Sequence, residues 1–594
     1  MRGTTPAILA AVAAATALCA ASPARAADPL AALKAGCEAK RSTDVPPARA
    51  VPYRICSGKV ESFDGTPLDV SVTLPARRTR RALPLVVFLH GFLSSKREYL
   101  SDTREGTDRP AEAYKMVRWN NVWFASRGYA VLNYSSRGHG ESGGTLDLAS
   151  RGVEVRDTHH LTGLLADDIA RRDRLARVAR RRVAVLGGSY GGGQTWLLLT
   201  TRGRGVRQYG TWRSPGGRGV RLAALVPQFT WSDLLSSLAP GGGPGGAPLG
   251  IAKLSIVNGL TAGANSKLPP KVISWIARLD AGEPYDSPSD PVVPEARRAL
   301  TQDRSGLYQD DFFRALQSRR RQRSIPVLAA QGWTDPIFPA SESLRMYERL
   351  RAVRPRYPIQ LYFGDLEHLT AQGKVPDMAY YHRLGTRMLD RYLLRRGKRP
   401  RFDVRSARTR CEKGRFGPVT VARSWRALGP RRPVFDLAGP QQIASPLSDP
   451  RAVAADPVAA STQKGRGCIV TDLPATPGVA TWTVPVEAGF ELIGTPRLEL
   501  RYRALAPDLQ LNSRLWDVAP DGTQTLVTRG SHRVVSPPLD GGAAAYELDG
   551  NHWRFEPGHR LMLEVTADDS PYLRRDNFPG SATINSARLV LPGR

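Results

Sequence analysis

Cysteine is scarce, with five in 594 residues and none in a C-x-x-C pair. That spacing serves structural zinc sites and dithiol redox motifs, so neither is supported, and no metal or cofactor is expected. Acidic residues are also in deficit, 54 against 85 lysines and arginines, giving a formal charge of +31. Such a charge invites a nucleic-acid reading. The excess is nearly all arginine, however, spread in runs such as RRDRLARVARRR (Arg171–Arg182) and RRRQR (Arg319–Arg323), without a zinc-finger or RNA-binding signature. Solvated basic faces are expected, with no specific nucleic-acid partner. Weak adhesion to anionic cell-wall polymers is the partner that the charge would favour. No stretch reaches the roughly 20 apolar residues that cross a bilayer, so no transmembrane segment is expected.

The first 26 residues read as a cleaved export signal: Arg2, an Ala-rich apolar run over Ile8–Ala21, and an A-x-A site at Ala24-Arg25-Ala26. A secreted or extracytoplasmic location follows. Removing this segment leaves Cys37, Cys56, Cys411 and Cys468, an even number that fits two disulfides. Three pairings exist, and local closure favours Cys37–Cys56 with Cys411–Cys468.

Buried strands alternate with helices through the first two thirds of the chain. PLVVFLHG (Pro84–Gly91), GYAVLNYSSRG (Gly128–Gly138), RVAVLGG (Arg182–Gly188) and LAALVPQF (Leu222–Phe229) are continuous apolar runs ending in turn residues. Strands buried on both faces of a parallel sheet read this way. PVLAAQG (Pro326–Gly332) and IQLYFG (Ile359–Gly364) continue the series around a helical SESLRMYERLRAV (Ser341–Val353), predicting a doubly wound α/β sheet. A second helix is expected over Gln194–Thr201. Between Phe229 and Pro326 the rhythm breaks. PGGGPGGAP (Pro240–Pro248) reads as a flexible linker, and KVISWIARLD and DDFFRALQSRRR as amphipathic pieces of a helical insertion. Beyond about residue 400 short alternating strands take over; in RLELRYRAL, Leu498, Leu500 and Tyr502 share one face. That is the pattern of a sandwich or jelly roll. The expected division is a signal at 1–26, an N-terminal segment at 27–56, a catalytic domain at 57–235 and 325–400, a helical cap at 236–324, and a β domain at 401–594.

LGGSYGGGQT (Leu186–Thr195) sits between a buried strand and a helix, and Gly187–Gly191 fits G-x-S-x-G. A phosphate loop would need a lysine that is not there. In a nucleophile elbow the glycines relieve a tight strand-to-helix turn, and the amide after the serine faces a developing oxyanion. A serine nucleophile needs a base and an acid, which in an α/β-hydrolase follow in the order Ser, Asp, His at later strand ends. GWTDPIFP places Asp335 after one late strand, and GDLEHLT places His368 after the next. The candidate triad is Ser189, Asp335 and His368. His382 is the runner-up base, and Asp365 the substitute acid; Glu367, like Asp365, lies too close in sequence to His368 for the obvious role. The oxyanion donors are the amides of Tyr190 and of Phe92, in the His90-Gly91-Phe92 loop that His90 braces. Trp231 and Trp333, with Trp275, could line an acyl pocket, whereas Glu283, Asp286, Asp310 and Asp311 could receive a substrate amine.

On these residues the chain resembles the Xaa-Pro dipeptidyl-peptidase family and its cocaine-esterase-like acyl hydrolases. The resemblance rests on the elbow at Gly187–Gly192, the preceding helix with Glu154 and Asp157, Trp333-Thr334-Asp335, the helical insertion, the jelly roll, and DDSPYLRRDNFPG (Asp568–Gly580). SSRGHGESGG (Ser135–Gly144) resembles a segment common in α/β-hydrolases. Cocaine-esterase-like members offer a tyrosine side chain to the oxyanion from the loop after the early strand; here that loop reads HGFLSS. The resemblance implies an α/β-hydrolase with a helical cap and a C-terminal jelly roll, acting on a peptide or ester through an acyl-enzyme. An acyltransferase and a non-catalytic wall binder are the alternatives.

Overall fold

The computed structural model of the chain describes residues 28–44, 49–106, 117–264, 267–280, 290–318, 322–366, 368, 375–412, 414–445, 449–461, 467–576 and 579–594. The expected export signal lies outside them. The first sheet begins with β1 (Cys37–Arg41), β2 (Pro52–Glu61), β3 (Pro67–Pro75), β4 (Leu83–Leu89), β5 (Ala130–Tyr134) and β6 (Val178–Gly188). It continues through β7 (Thr211–Arg213), β8 (Gly219–Gln228), β9 (Val327–Gly332), β10 (Ile359–Gly364), β11 (Val404–Ala407) and β12 (Val419–Ala422). The order across the sheet is β1-β2-β3-β5-β4-β6-β8-β9-β10-β11-β12, with β7 paired to β8. Neighbours from β5 to β11 run parallel, and the strands at both edges are antiparallel.

The continuous apolar runs have a direct cause in this geometry. Leu85, Val87 and Leu89 of β4 enter one core, while Val86 and Phe88 enter the core on the other face. A strand covered on both sides has no solvent-facing alternate to make polar. From β4 the chain crosses to β5 on one side and then to β6 on the other. The winding therefore reverses between β4 and β6, and open α/β sheets bind ligands at the carboxyl ends of strands at such a point.

The helices that matter for the site are α1 (Glu154–Asp167), α2 (Tyr190–Thr200), α3 (Leu234–Leu238), α4 (Leu254–Ala264), α5 (Pro270–Asp280), α6 (Val292–Arg298), α7 (Asp310–Gln317) and α8 (Ser341–Val353). α2 starts at Tyr190, four residues before the start expected from sequence. Its first turn is nearly all glycine, which hides helical periodicity. The helices between β8 and β9 pack through two apolar clusters, Leu268, Val272 and Trp275 with Leu146, and Leu235, Ala239, Leu249 and Val293. Leu300 touches both. α7 belongs elsewhere: Phe312 packs edge-on against Tyr209 at 5.4 Å, and Asp310 pairs with Arg349 of α8.

The glycine-rich stretch 240–248 is a packed loop, not a flexible linker. Gly243 N donates to Pro248 O at 2.9 Å, Arg533 N donates to Gly241 O at 2.9 Å, and the Arg533 guanidinium donates to Leu249 O at 3.0 Å. Glycine is needed at Gly241, where φ is +79° and a Cβ would lie 2.7 Å from Ser531 O. The composition that reads as flexibility here permits two backbones to meet.

The C-terminal domain is all β, with antiparallel sheets enclosing a core that includes Leu498, Leu500, Leu509, Leu515 and Leu563. Arg514, fully buried, sits among Asp449 at 2.7 Å, Glu564 at 2.9 Å and Asp569 at 3.3 Å. Removing one member of such a set strands a buried charge, at a cost of about 3–5 kcal/mol. Disulfides join Cys37 to Cys56 across β1 and β2, and Cys411 to Cys468. Among the described residues no helix is long and apolar enough to cross a membrane.

Candidate active site

Ser189 occupies the single-residue turn between β6 and α2, with φ +53° and ψ −119°. A non-glycine residue rarely adopts this backbone, and such strain persists only where the surroundings enforce it. Here Ser189 N donates to Gln228 O at 3.0 Å, while its carbonyl accepts from Gly193 N at 3.0 Å and Thr230 Oγ1 at 2.6 Å. The crossing is so close that a Cβ on Gly191 would lie 2.1 Å from Leu89 O. β4 and the first turn of α2 thus meet backbone to backbone, setting the loop after β4 beside the serine. A Cβ on Gly91 would lie 3.8 Å from Ser189 Cβ.

That loop is braced as expected. Ser136 N donates to His90 Nε2 at 2.8 Å, so the Nδ1–H of His90 donates to Gly91 O at 2.7 Å. Gly91 N is taken by the buried carboxylate of Glu98 at 2.8 Å. Neither Phe92 N nor Tyr190 N makes a hydrogen bond among the described residues. The Tyr190 side chain is fully used: its hydroxyl donates to Glu154 Oε1 and accepts from Ala149 N, both at 2.9 Å. Burial raises the Glu154 carboxyl above its ordinary range, and it also accepts from Asp147 N and Ser150 N. Glu154 is the anchor of the 147–150 loop.

Asp335 and His368 are brought together from the ends of β9 and β10. His368 Nδ1 lies 2.8 Å from Asp335 Oδ2, and Asp335 Oδ1 accepts from Ile337 N at 3.0 Å and Phe338 N at 3.1 Å. The carboxylate therefore fixes the tautomer with its proton on Nδ1, which leaves the Nε2 lone pair available. Nε2 is buried and has no partner among the described residues. Phe229 and Phe338 hold the ring edge-on, each at 5.5 Å.

Ser189 and His368 open on one chamber of about 240 Å³. Phe92, Tyr190 and Trp231 line it at the sheet, and Leu249, Val272, Trp275, Val293 and Leu300 line it from the cap. No carboxylate lines it among the described residues. Its charged members among the described residues are two arginines already engaged, Arg278 with Asp290 and Arg297 with Gly246 O.

Several other expected residues fall outside the chamber. Trp333 is buried behind the Asp335 loop, where its indole N–H donates to Ser406 Oγ at 3.1 Å and its ring stacks on Phe363 at 4.7 Å. It lines a separate cavity between the two domains, which corrects its assignment to an acyl pocket. Asp310 and Asp311 pair with Arg349 and Arg314 on the flank and do not line the chamber. His382 stacks on Trp119 at 4.7 Å and bonds Val117 O, with burial pulling its pKa down to about 3. It is a neutral core histidine. Asp365 is buried, with its amide on Asp377. Glu283, Asp286 and Glu367 lie outside the described residues.

Sequence reading missed Lys253 and Tyr572. Lys253 is fully buried, and its ammonium donates to Pro336 O at 2.8 Å and Ile337 O at 3.1 Å, the two carbonyls after Asp335. Tyr572, from the C-terminal domain, donates to the same Pro336 O at 3.0 Å. Burial pulls the lysine down to about 8, with Asp549 and Asp335 acting the other way. A lone lysine in a Gly/Pro-rich stretch carries no periodic signal that could have flagged it.

Residues 64–209 match the family model of X-Pro dipeptidyl-peptidase (S15 family), and residues 435–592 match that of the X-Pro dipeptidyl-peptidase C-terminal non-catalytic domain. The chain finds no match among curated proteins. Among solved structures it is similar to an aminopeptidase from a marine sediment Thaumarchaeota archaeon, at 15% identity and a TM-score of 0.64, covering 93% of this chain and 99% of that one. An alpha-amino acid ester hydrolase shares 15% identity with a TM-score of 0.62, covering 98% and 100%. A CocE/NonD family hydrolase from Staphylococcus aureus shares 14% with a TM-score of 0.58, covering 94% and 97%. At such identities the likeness is one of fold.

Proposed function

We propose that this chain, a serine hydrolase belonging to the X-Pro dipeptidyl-peptidase (S15) and CocE/NonD-like family, is exported and hydrolyses esters with an apolar acyl group. The observation that carries the reading is the chamber, apolar and without a carboxylate among its described lining, into which both Ser189 and His368 open. A dipeptidyl-peptidase must hold a substrate ammonium, and a buried cation needs an anionic or carbonyl-rich partner. An acyl chain needs neither.

In the mechanism, His368 Nε2 takes the Ser189 hydroxyl proton as Oγ attacks the ester carbonyl. Asp335 stabilises the imidazolium through Nδ1–H. The oxyanion accepts from the amides of Tyr190 and Phe92, each worth about 3–4 kcal/mol by comparison with other oxyanion donors. Collapse expels the alcohol, which receives the proton from Nε2–H. Water, deprotonated by the same nitrogen, attacks the acyl-enzyme and releases the acid. The strained turn at Ser189 and the unpartnered Nε2 support these roles. Export is supported by the two disulfides, which persist in oxidising compartments. The domain division proposed is that given from sequence, with α7 packed on the flank of the sheet rather than in the cap.

The test compares p-nitrophenyl butyrate with Ala-Pro-p-nitroanilide, using wild type and Ser189→Ala. We expect ester turnover and fluorophosphonate labelling in wild type, and loss of both in the variant. Anilide cleavage exceeding ester cleavage would favour the peptidase reading instead.

A further inference from the structure

The end of the sheet opposite Ser189 carries a groove of about 450 Å³ in which seven arginines converge. Arg181 and Arg182 come from the start of β6 and Arg221 from the start of β8. Arg323 and Arg356 precede β9 and β10, while Arg395 and Arg399 follow the last helix of the sheet domain. No carboxylate lines the groove, and none of the seven makes an ion pair among the described residues. Arg182 donates to Leu393 O and Ala82 O, and Arg323 to Leu222 O. The other five make no side-chain hydrogen bond among the described residues, and Arg221 Nε is buried without a partner.

These charges also act on one another. Arg182 is held below its ordinary range by burial and by Arg395, and Arg323 by burial and by Arg221. Arg182, Arg221 and Arg323 are half-buried in the groove, and Arg181, Arg356, Arg395 and Arg399 are exposed around them. A folded protein gains nothing from gathering like charges in this way, so their cost calls for a compensating anion. Guanidinium forks match phosphate oxygens bidentately, and one phosphate can engage only two or three of them. Seven require several phosphates in succession. Tyr392 is the one aromatic side chain lining the groove among the described residues, so nucleobases would find no row of stacking platforms there.

We propose that this groove is a binding site for a linear, phosphate-rich polyanion, such as an extracellular phosphodiester polymer. It would hold the enzyme on an anionic surface. Arg182 and Ser189 lie at opposite ends of one strand, roughly 23 Å apart at the rise of an extended chain. The catalytic chamber therefore stays open to substrate while the groove is filled.

The test titrates the full chain with inorganic tripolyphosphate by calorimetry, at several NaCl concentrations. Arg221→Gln/Arg395→Gln changes two groove arginines that make no side-chain hydrogen bonds among the described residues. Arg501→Gln/Arg503→Gln removes equal charge from an exposed strand face of the C-terminal domain. We expect wild type and the second variant to bind alike, with affinity falling steeply as salt rises. The groove variant should lose about tenfold or more, since each hydrogen bond to a charged group contributes roughly one decade. Its melting temperature should equal or exceed that of wild type, because two repelling charges are gone, and its ester turnover should match wild type. Equal losses in the two variants would reduce binding to net charge and overturn the proposal. So would no binding at low salt, orthophosphate binding as tightly as tripolyphosphate, or tighter binding of single-stranded DNA of matched charge.

Discussion

Lengthening the acyl chain of an ester is the most direct probe of the chamber above Ser189. Each methylene moved from water into apolar lining is worth about 0.8 kcal/mol. Freezing one added torsion offsets part of this, so kcat/KM is expected to rise about two- to fourfold per carbon. From acetyl to octanoyl six methylenes are added, and the ceiling is about 5 kcal/mol, or roughly three thousandfold. The rise should end where the chain fills the chamber, whose apolar lining includes Leu249, Val257, Val293 and Leu300. Ala296→Phe, on α6 and lining the chamber, fills space from the cap side. It should move the optimum toward shorter chains while leaving acetyl turnover within about twofold of wild type, since only uniform binding is removed. The assay is initial-rate hydrolysis of p-nitrophenyl esters below their micellar concentrations. A flat profile, or one that falls steadily from acetyl, would show that the acyl group does not enter the chamber. The reasoning from lining to substrate would then be refuted.

Three further outcomes follow from particular contacts. A Cβ on Gly193 would lie 2.2 Å from the Trp231 ring, so Gly193→Ala should push that ring into the chamber and slow octanoyl turnover more than acetyl, at an overpacking cost of about 1–3 kcal/mol seen in thermal melts. Lys253 titrates at about 8 when folded against 10.5 when free, so the unfolded chain binds the extra proton between those values and wild-type stability should rise with pH across that window. Lys253→Met should remove about 3 kcal/mol of that rise, measured as the difference between the two proteins' urea unfolding at pH 7.5 and 10.5. Cys411 and Cys468 close a loop with a sequence separation of 57, so the double serine variant should lose about 4 kcal/mol in the same assay if chain entropy dominates; no loss would place the effect in the native state instead.

What sequence revealed best is what backbone geometry dictates. β4, β6, β9 and β10 were visible because a strand covered on both faces is apolar along nearly all of its covered length, with Gln331 and Gln360 as buried exceptions, and the loops after them follow from where those runs stop. The elbow was visible because Gly191 must let two backbones pass, which leaves a compositional trace. The loop at 240–248 shows the limit of such traces: the same glycines that permit looseness permit close packing, and only Ser531 and Arg533, almost 300 residues away, decide which.

Chamber lining lies beyond that limit for a related reason. Trp231 and Trp333 are equally large, and each sits close to a β-strand of the same sheet; one faces Tyr190 and the other stacks on Phe363. Which way each turns depends on the course of the backbone after the strand end and on what the cap and the β domain set against it. Asp335 shows the same dependence from the other side. Its carboxylate is held by the amides of Ile337 and Phe338, but the carbonyls of that turn are held by Lys253 from the cap region and Tyr572 from the C-terminal domain. The acid of the proposed triad thus takes its position from three parts of the chain that are far apart in sequence. A motif can name the aspartate, and only the assembled fold can aim it.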